Sequence, residues 1–250
     1  MLRALVLEPH DDDLIIGMGG TALKMIKNDW DFRSIQMTDG RHGSNKIEPE
    51  KLVEIRREEK REEISHLGIE CNFLNYEDGK LWNRMQENRE KIISEIQKIL
   101  SQFEPDVVFM PAKSESHPDH RATSLLAGRA IYSSDINPLK VSYVVWQMPF
   151  TDGENLASKV IMTEIGEVFD QKLELLRLHK SQVKVGRYDE MVKSFNSYLG
   201  LLYSSYGDEI GKCEVLGVQN PKKLGRLENI KFEDVSNMSH GRSTEDIHLS

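Results

Sequence analysis

The chain has 250 residues, 38% of them hydrophobic and 30% charged, with a formal net charge of −8 and a pI near 5.6. This length and composition suit one large globular domain with a substantial core, and the acidic balance excludes a partner gripped through nucleic-acid phosphates, which demands excess Lys and Arg. Two cysteines, Cys71 and Cys213, exclude a disulfide framework; with no leader-like stretch and no run of about 18 apolar residues, the expected location is the reducing cytoplasm, away from membranes.

Strands and helices alternate along the chain. Leu2–Glu8 reads as a buried strand, and Leu14–Lys27 as a helix with apolar Leu14, Met18, Met25 and Ile26. Phe32–Thr38 reads as a second strand. Glu48–Leu67 reads as a long helix, with Pro49 suited to its first turn and Gly68 to the position just past its end. Cys71–Leu74 is a short third strand, and Gln86–Phe103 a helix with an apolar stripe that includes Ile92, Ile96 and Leu100. Asp106–Met110 is the fourth strand, Arg121–Ile131 the next helix, and Val141–Gln147 a fifth strand. Beyond Phe150 the pattern loosens. Glu164–Lys180 and Tyr188–Tyr206 read as helices, residues 207–250 as an irregular extension of a core ending near 206, and the tail from His240 as disordered.

This βαβα pattern argues for an α/β fold, a three-layer sandwich with helices on both faces of a mostly parallel sheet. In the doubly wound order 3-2-1-4-5, strands 1 and 4 are neighbours at the switch point, where ligands bind beyond the carboxyl ends of the strands. Each of those two strands runs into a His/Asp cluster: His10-Asp11-Asp12-Asp13 after the first, and His117-Pro118-Asp119-His120 after the fourth. Topology alone therefore brings the clusters together. A catalytic metal takes three protein ligands and keeps one position open. His10, Asp13, His117 and His120 are the candidates, with Asp11, Asp12 and Asp119 nearby. A carboxylate not spent on the metal can take a proton from water, and a second His can stabilise an oxyanion or protonate a leaving group.

Two other readings compete. A His/Asp cluster can simply cap the following helix. Gly17-Met18-Gly19-Gly20-Thr21-Ala22 matches G-x-G-x-x-A, with Asp39 about 20 residues on, as in a dinucleotide fingerprint. That stretch begins ten positions after Leu7 rather than directly after its strand, and Asp11 to Asp13 would repel a pyrophosphate. The glycines then serve close packing of the first helix on the sheet.

The chain resembles the LmbE-like, or PIG-L, family of zinc-dependent N-acetylglucosaminyl deacetylases. Its first signature, A-H-P-D-D-E before a G-G-T turn, is similar to Pro9-His10-Asp11-Asp12-Asp13-Leu14 with Gly17-Met18-Gly19-Gly20-Thr21; the second, H-P-D-H, is intact at His117 to His120. Weaker matches are Thr38-Asp39-Gly40 with Gly43, Arg56-Arg57-Glu58-Glu59, Asp78-Gly79 and His179-Lys180-Ser181-Gln182, so the likeness spans about residues 1–185. It implies a Rossmann-like fold, Zn2+ (or another divalent metal such as Fe2+) on His10, Asp13 and His120, Asp12 as general base, His117 as the charge-stabilising histidine, and Asp119 orienting His117. It also implies a small acetylated amino sugar or glycoconjugate as substrate and self-association into trimers or hexamers.

Asp11 departs from the family, which has Pro or a small residue there, and Leu14 replaces an acid. The extra carboxylate is expected to raise the pKa of Asp12 by repulsion. Arg56 lies near the substrate in the family, but an i,i+3 ion pair with Glu59 on a solvated face suits it better, and the charge-dense Lys51–Glu63 reads as solvated throughout. His42 reaches the site from the loop after strand 2 or is merely exposed. His179 lines the pocket or hydrogen-bonds a strand end. Trp82, Trp146 and Tyr143 offer a sugar-stacking wall, although Trp146 sits in an apolar run that suits a core. The leading expectation is a metal-dependent N-deacetylase; a non-catalytic sugar- or metal-binding module on the same fold and a Rossmann-type nucleotide-binding enzyme are the alternatives.

Overall fold

The computed structural model describes residues 1–145, 159–203, 211–219 and 233–234. In chain order the elements are β1 (Arg3–Glu8), α1 (Asp13–Lys27), β2 (Asp31–Thr38), α2 (Pro49–Leu67), β3 (Glu70–Tyr76), α3 (Leu81–Phe103), β4 (Val107–Pro111), α4 (Pro118–Tyr132), β5 (Leu139–Tyr143), β6 (Lys159–Glu164), α5 (Gly166–Leu176), α6 (Lys180–Gly186), α7 (Tyr188–Tyr203), β7 (Cys213–Val218) and β8 (Glu233–Asp234). The sheet order is β3-β2-β1-β4-β5-β7-β6-β8. Its first five strands are parallel and stand in the order expected from the sequence. β1 and β4 are neighbours, with Ala4 opposite Val107 and Val6 opposite Phe109.

Period-two alternation divides the core. Ala4, Val6, Val107 and Phe109 enter the cluster formed with α1 and α5, whereas Leu5, Leu7, Val108 and Met110 enter the one formed with α3 and α4. Burial on both faces is why these strands read as unbroken apolar runs. Gly68 closes α2 in the left-handed region at φ +67°, and Pro49 opens it.

The C-terminal half departs from the sequence expectation in three places. Residues 213–218 are not irregular: β7 lies antiparallel between β5 and β6 and is wholly buried. β6 was not expected at all. The helix expected over Glu164–Lys180 is shorter, α5 ending at Leu176, and a separate short helix, α6, which was not expected, begins at Lys180. The expectations for Trp146 and for the tail from His240 lie outside the described residues.

α1 is kinked at Met18, where φ −149° leaves the helical region. The kink frees backbone groups that β7 and α5 satisfy. The Glu214 carboxylate accepts from the N–H groups of Gly20 (2.8 Å) and Thr21 (2.7 Å) and from the Thr21 hydroxyl (2.6 Å). Lys172 donates to the Ile16 carbonyl (3.0 Å), to Asn196 (3.0 Å) and to Glu214 (2.7 Å). A Cβ on Gly20 would stand 2.6 Å from Ile165 Cγ2, so the glycine-rich stretch serves close packing. Its free N–H groups already hold a buried carboxylate, which rules out a pyrophosphate there.

α2 holds the largest surprise. Its buried stripe reads Leu52, Arg56, Glu59, Lys60, Glu63, Leu67, so four charged side chains of the segment expected to be solvated face inward.

Candidate metal centre and active site

β1 and β4 deliver both clusters to one point beyond their carboxyl ends. His10 Nδ1 lies 3.0 Å from Asp13 Oδ2, His120 Nε2 lies 3.2 Å from the same oxygen, and the two ring nitrogens are 3.3 Å apart. Ligand atoms of a tetrahedral centre with bonds of about 2.0–2.1 Å stand roughly 3.3 Å apart. Two imidazole nitrogens and a carboxylate oxygen at that spacing form a donor set suited to a divalent cation. His117 adds a fourth nearby nitrogen: His10, His117 and His120 each offer a ligand atom within 4.8 Å of the others.

Carboxylates stand behind both triad histidines. His10 Nε2 meets Asp78 Oδ1 at 3.1 Å and Asp119 Oδ2 at 3.6 Å, and His120 Nδ1 lies 3.6 Å from Glu115 Oε2. Such partners fix the ring orientation and make the inward nitrogen a better ligand. Burial opposes protonation of His120, but Asp13 and Glu115 raise its pKa to about 9; His10 is raised in the same way by Asp13, Asp119 and Asp78. Asp13 is held well below the carboxylate range, since His120 and His10 outweigh its burial.

Asp119 does not orient His117 through its carboxylate, as expected from the sequence. That group accepts from the N–H of Gly79 (2.6 Å) and of Leu81 (3.0 Å) and faces His10. Instead the Asp119 N–H donates to His117 Nδ1 (3.3 Å), so His117 caps α4 with its ring. The capping reading is therefore half right for the second cluster, while Asp12 makes no side-chain cap on α1. With Nδ1 accepting, and with burial and the charges of His10 and His120 lowering its pKa, His117 is a neutral ring that carries its proton on Nε2.

Asp12 lines the cavity beside the triad. Its pKa is raised by burial, against Arg56 and with repulsion from Asp11 and Asp13, in the direction expected of an extra acid at position 11. Arg56 is buried rather than solvated, and it does not pair with Glu59. Its Nη2 contacts Asp11 Oδ1 and lies 3.2 Å from Asp12 Oδ1, while Nη1 donates to the Gly40 carbonyl (3.2 Å). A Cβ on Gly40, at φ +67°, would crowd the guanidinium at 2.8 Å, so glycine is required on both counts. Glu59 instead accepts from the Ser181 N–H and hydroxyl, both at 2.7 Å.

The cavity has a volume of about 230 Å³. His42, with half its side chain exposed, and Arg56 both line it. His179 does not: fully buried behind Asp11, it meets Glu63 Oε2 at 2.5 Å and Asp11 Oδ2 at 3.5 Å. Sequence reasoning missed Gln182 and Tyr188 as lining residues, although Gln182 closes a motif already noted. The expected aromatic wall does not assemble among the described residues. Tyr143 is fully buried and donates to the Leu7 carbonyl (2.9 Å), and Trp82 lies under the Arg121 guanidinium at 5.2 Å. Among the described residues no helix is long and apolar enough to cross a membrane.

Known proteins resemble this chain in sequence and in fold. The chain is 26% identical over 233 residues to a diacetylchitobiose deacetylase of Thermococcus kodakarensis, covering 87% of this chain and 82% of that protein. It is 26% identical over 204 residues to a probable N-acetyl-alpha-D-glucosaminyl L-malate deacetylase of Bacillus cereus, covering 78% and 90%. The solved N,N'-diacetylchitobiose deacetylase from Pyrococcus horikoshii, complexed with its inhibitor, superposes with a TM-score of 0.68 at 26% identity, over 86% of this chain and 83% of that one. The family model for PIG-L, GlcNAc-PI de-N-acetylase, matches residues 5–131, about half of the chain and both histidine clusters, and the chain belongs to the PIG-L family.

Proposed function

We propose that this protein is a zinc-dependent hydrolase that removes the acetyl group from an N-acetylglucosamine unit. The observation that carries the reading is the triangle of His10, Asp13 and His120 with Asp12 lining the same cavity. The relatives' names, which share an acetylated glucosamine, support the substrate class. A cavity of about 230 Å³ suits one sugar ring with its acetamido group, the rest of a glycoconjugate lying outside.

His10, Asp13 and His120 would hold the metal, which supplies Lewis acidity and brings the pKa of water toward about 7. Asp12 takes a proton from water as its oxygen attacks the amide carbonyl carbon. Burial and its acidic neighbours raise the basicity of Asp12, which suits it to that step, and Arg56 holds one of its oxygens in place. The His117 Nε2–H donates to the developing oxyanion as a neutral donor. Asp12 then returns the proton to the amine as the C–N bond breaks, releasing the amino sugar and acetic acid, which passes its own proton to the amine or to water to leave as acetate. α1 begins at Asp13 and α4 follows its cap His117, so both helix N-termini lie at the site, where their dipoles favour negative charge.

The test is amine release from a panel of N-acetylglucosamine derivatives, with metal analysis of the same preparation. Zinc should co-purify, chelation should abolish turnover and zinc should restore it. Asp12→Asn should keep the metal and lose turnover by about 10²–10⁴-fold. A fully active, metal-loaded Asp12→Asn enzyme would sink the base assignment; a metal-loaded enzyme that releases no amine from any member of the panel would sink the deacetylase.

A further inference from the structure

Behind Asp12 runs a line of buried groups of alternating charge. Arg56 Nη2 is shared by Asp12 and Asp11. Asp11 meets His179 Nδ1 at 3.5 Å, and His179 Nε2 meets Glu63 at 2.5 Å. Glu63 meets Lys60 at 2.8 Å, and Lys60 meets Glu8 at 2.7 Å. None of Asp11, Glu63, Lys60, His179 or Glu8 has exposed surface, and only Asp12 and Arg56 reach the cavity.

Buried ion pairs are a poor route to stability, because apolar residues of similar volume serve as well or better. What the line does provide is a fixed end point. Asp11 and Asp12 compete for one guanidinium nitrogen. With His179 on its far side, Asp11 is neutralised from two directions, and Arg56 stays available to both carboxylates. Without that second cation Asp11 is a buried charge with Arg56 as its sole counter-ion, and the guanidinium is drawn toward Asp11 and away from Asp12.

We propose that His179 is a positioning residue for the general base: clamped between Glu63 and Asp11, it balances Asp11 so that Arg56 holds the Asp12 carboxylate in its working place. The proposal rests on the reading of Asp12 as base. It also gives a function to Asp11, the residue by which this chain departs from its family signature, because that carboxylate is the link between His179 and Arg56.

The test is a double-mutant cycle on the zinc-loaded enzyme with His179→Gln, Asp12→Asn and the pair, reading kcat, KM and metal content. His179→Gln should lower kcat at least tenfold, with KM within about threefold and metal content unchanged. In the Asp12→Asn background the same substitution should change the residual rate by less than about twofold, since the two act as one unit. Glu63→Gln, which keeps the shape of the site, should lower kcat about threefold or more and be equally silent without Asp12; it carries the test alone if His179→Gln melts at the assay temperature. Equal losses in both backgrounds, or wild-type kcat in both single variants, overturn the proposal and leave Asp12 as base. Wild-type turnover in Asp12→Asn overturns the base reading and this proposal together.

Discussion

Lys172 and Glu214 form a 2.7 Å ion pair in which neither side chain has exposed surface, and both also bind the backbone at the kink of α1. The pair ties α5 and β7 to the helix that begins with Asp13. Removing one partner leaves a bare buried charge, at a cost of about 3–5 kcal/mol. Lys172→Met is expected to lower Tm by roughly 10 °C, since each kcal/mol is about 2–4 °C in a chain of this size. Differential scanning calorimetry of the two proteins checks it.

Glu115 sits behind His120 as Asp78 sits behind His10. Its Oε1 accepts from the Val145 N–H (2.6 Å), a bond that a carboxamide oxygen preserves, while its Oε2 faces the ring. Glu115→Gln is therefore expected to keep the fold and weaken zinc affinity about 10–100-fold, as losses of such partners do. Competition against a chromophoric chelator measures it; unchanged affinity would show that Glu115 serves only Val145.

Metal uptake should be strongly pH-dependent. In the metal-free cluster His120 has a pKa of about 9 and His10 is raised in the same direction, yet both must be neutral to ligate. Affinity is therefore expected to climb as pH rises toward about 9, with protons released on binding. Calorimetric titration in two buffers of different ionisation enthalpy counts those protons.

His179 should leave a mark on stability at alkaline pH. Its pKa is about 10 against an ordinary 6.5, because the carboxylates of Asp11 and Glu63 on either side of the ring outweigh burial. A raised pKa means stabilisation that is complete below about pH 6.5 and lost as pH rises through about 10. With saturating zinc, which keeps His10 and His120 neutral, Tm should fall from pH 6.5 to 10 in the wild type and fall less in His179→Gln. Parallel curves for the two proteins would contradict the assigned charge.

The five parallel strands, their order and the meeting of the two histidine clusters were legible in the sequence because each depends on local pattern or on a topological rule. β7 was not. Cys213-Glu214-Val215-Leu216-Gly217-Val218 carries an acid and a glycine, and only Lys172, Gly20 and Thr21, all distant in sequence, make that acid compatible with a buried strand. α2 misled for the same reason. Arg56, Glu59, Lys60 and Glu63 look solvated by composition, and their counter-charges lie at Asp11, Glu8 and His179, with Ser181 donating to Glu59. Spacing along a helix shows which residues share a face; it does not show that the facing surface is charged as well.

The line of charges behind Asp12 also bears on how the protein is made. The triad is complete once His120 has been synthesised, but His179 follows about sixty residues later. At about 5–20 residues per second that interval is roughly 3–12 s. Throughout it the nascent chain carries Asp11 and Glu63 without the cation that joins them. The side chains of the triangle are thus all made well before the histidine that closes the buried charge network behind them, so that network is a late addition to the growing chain.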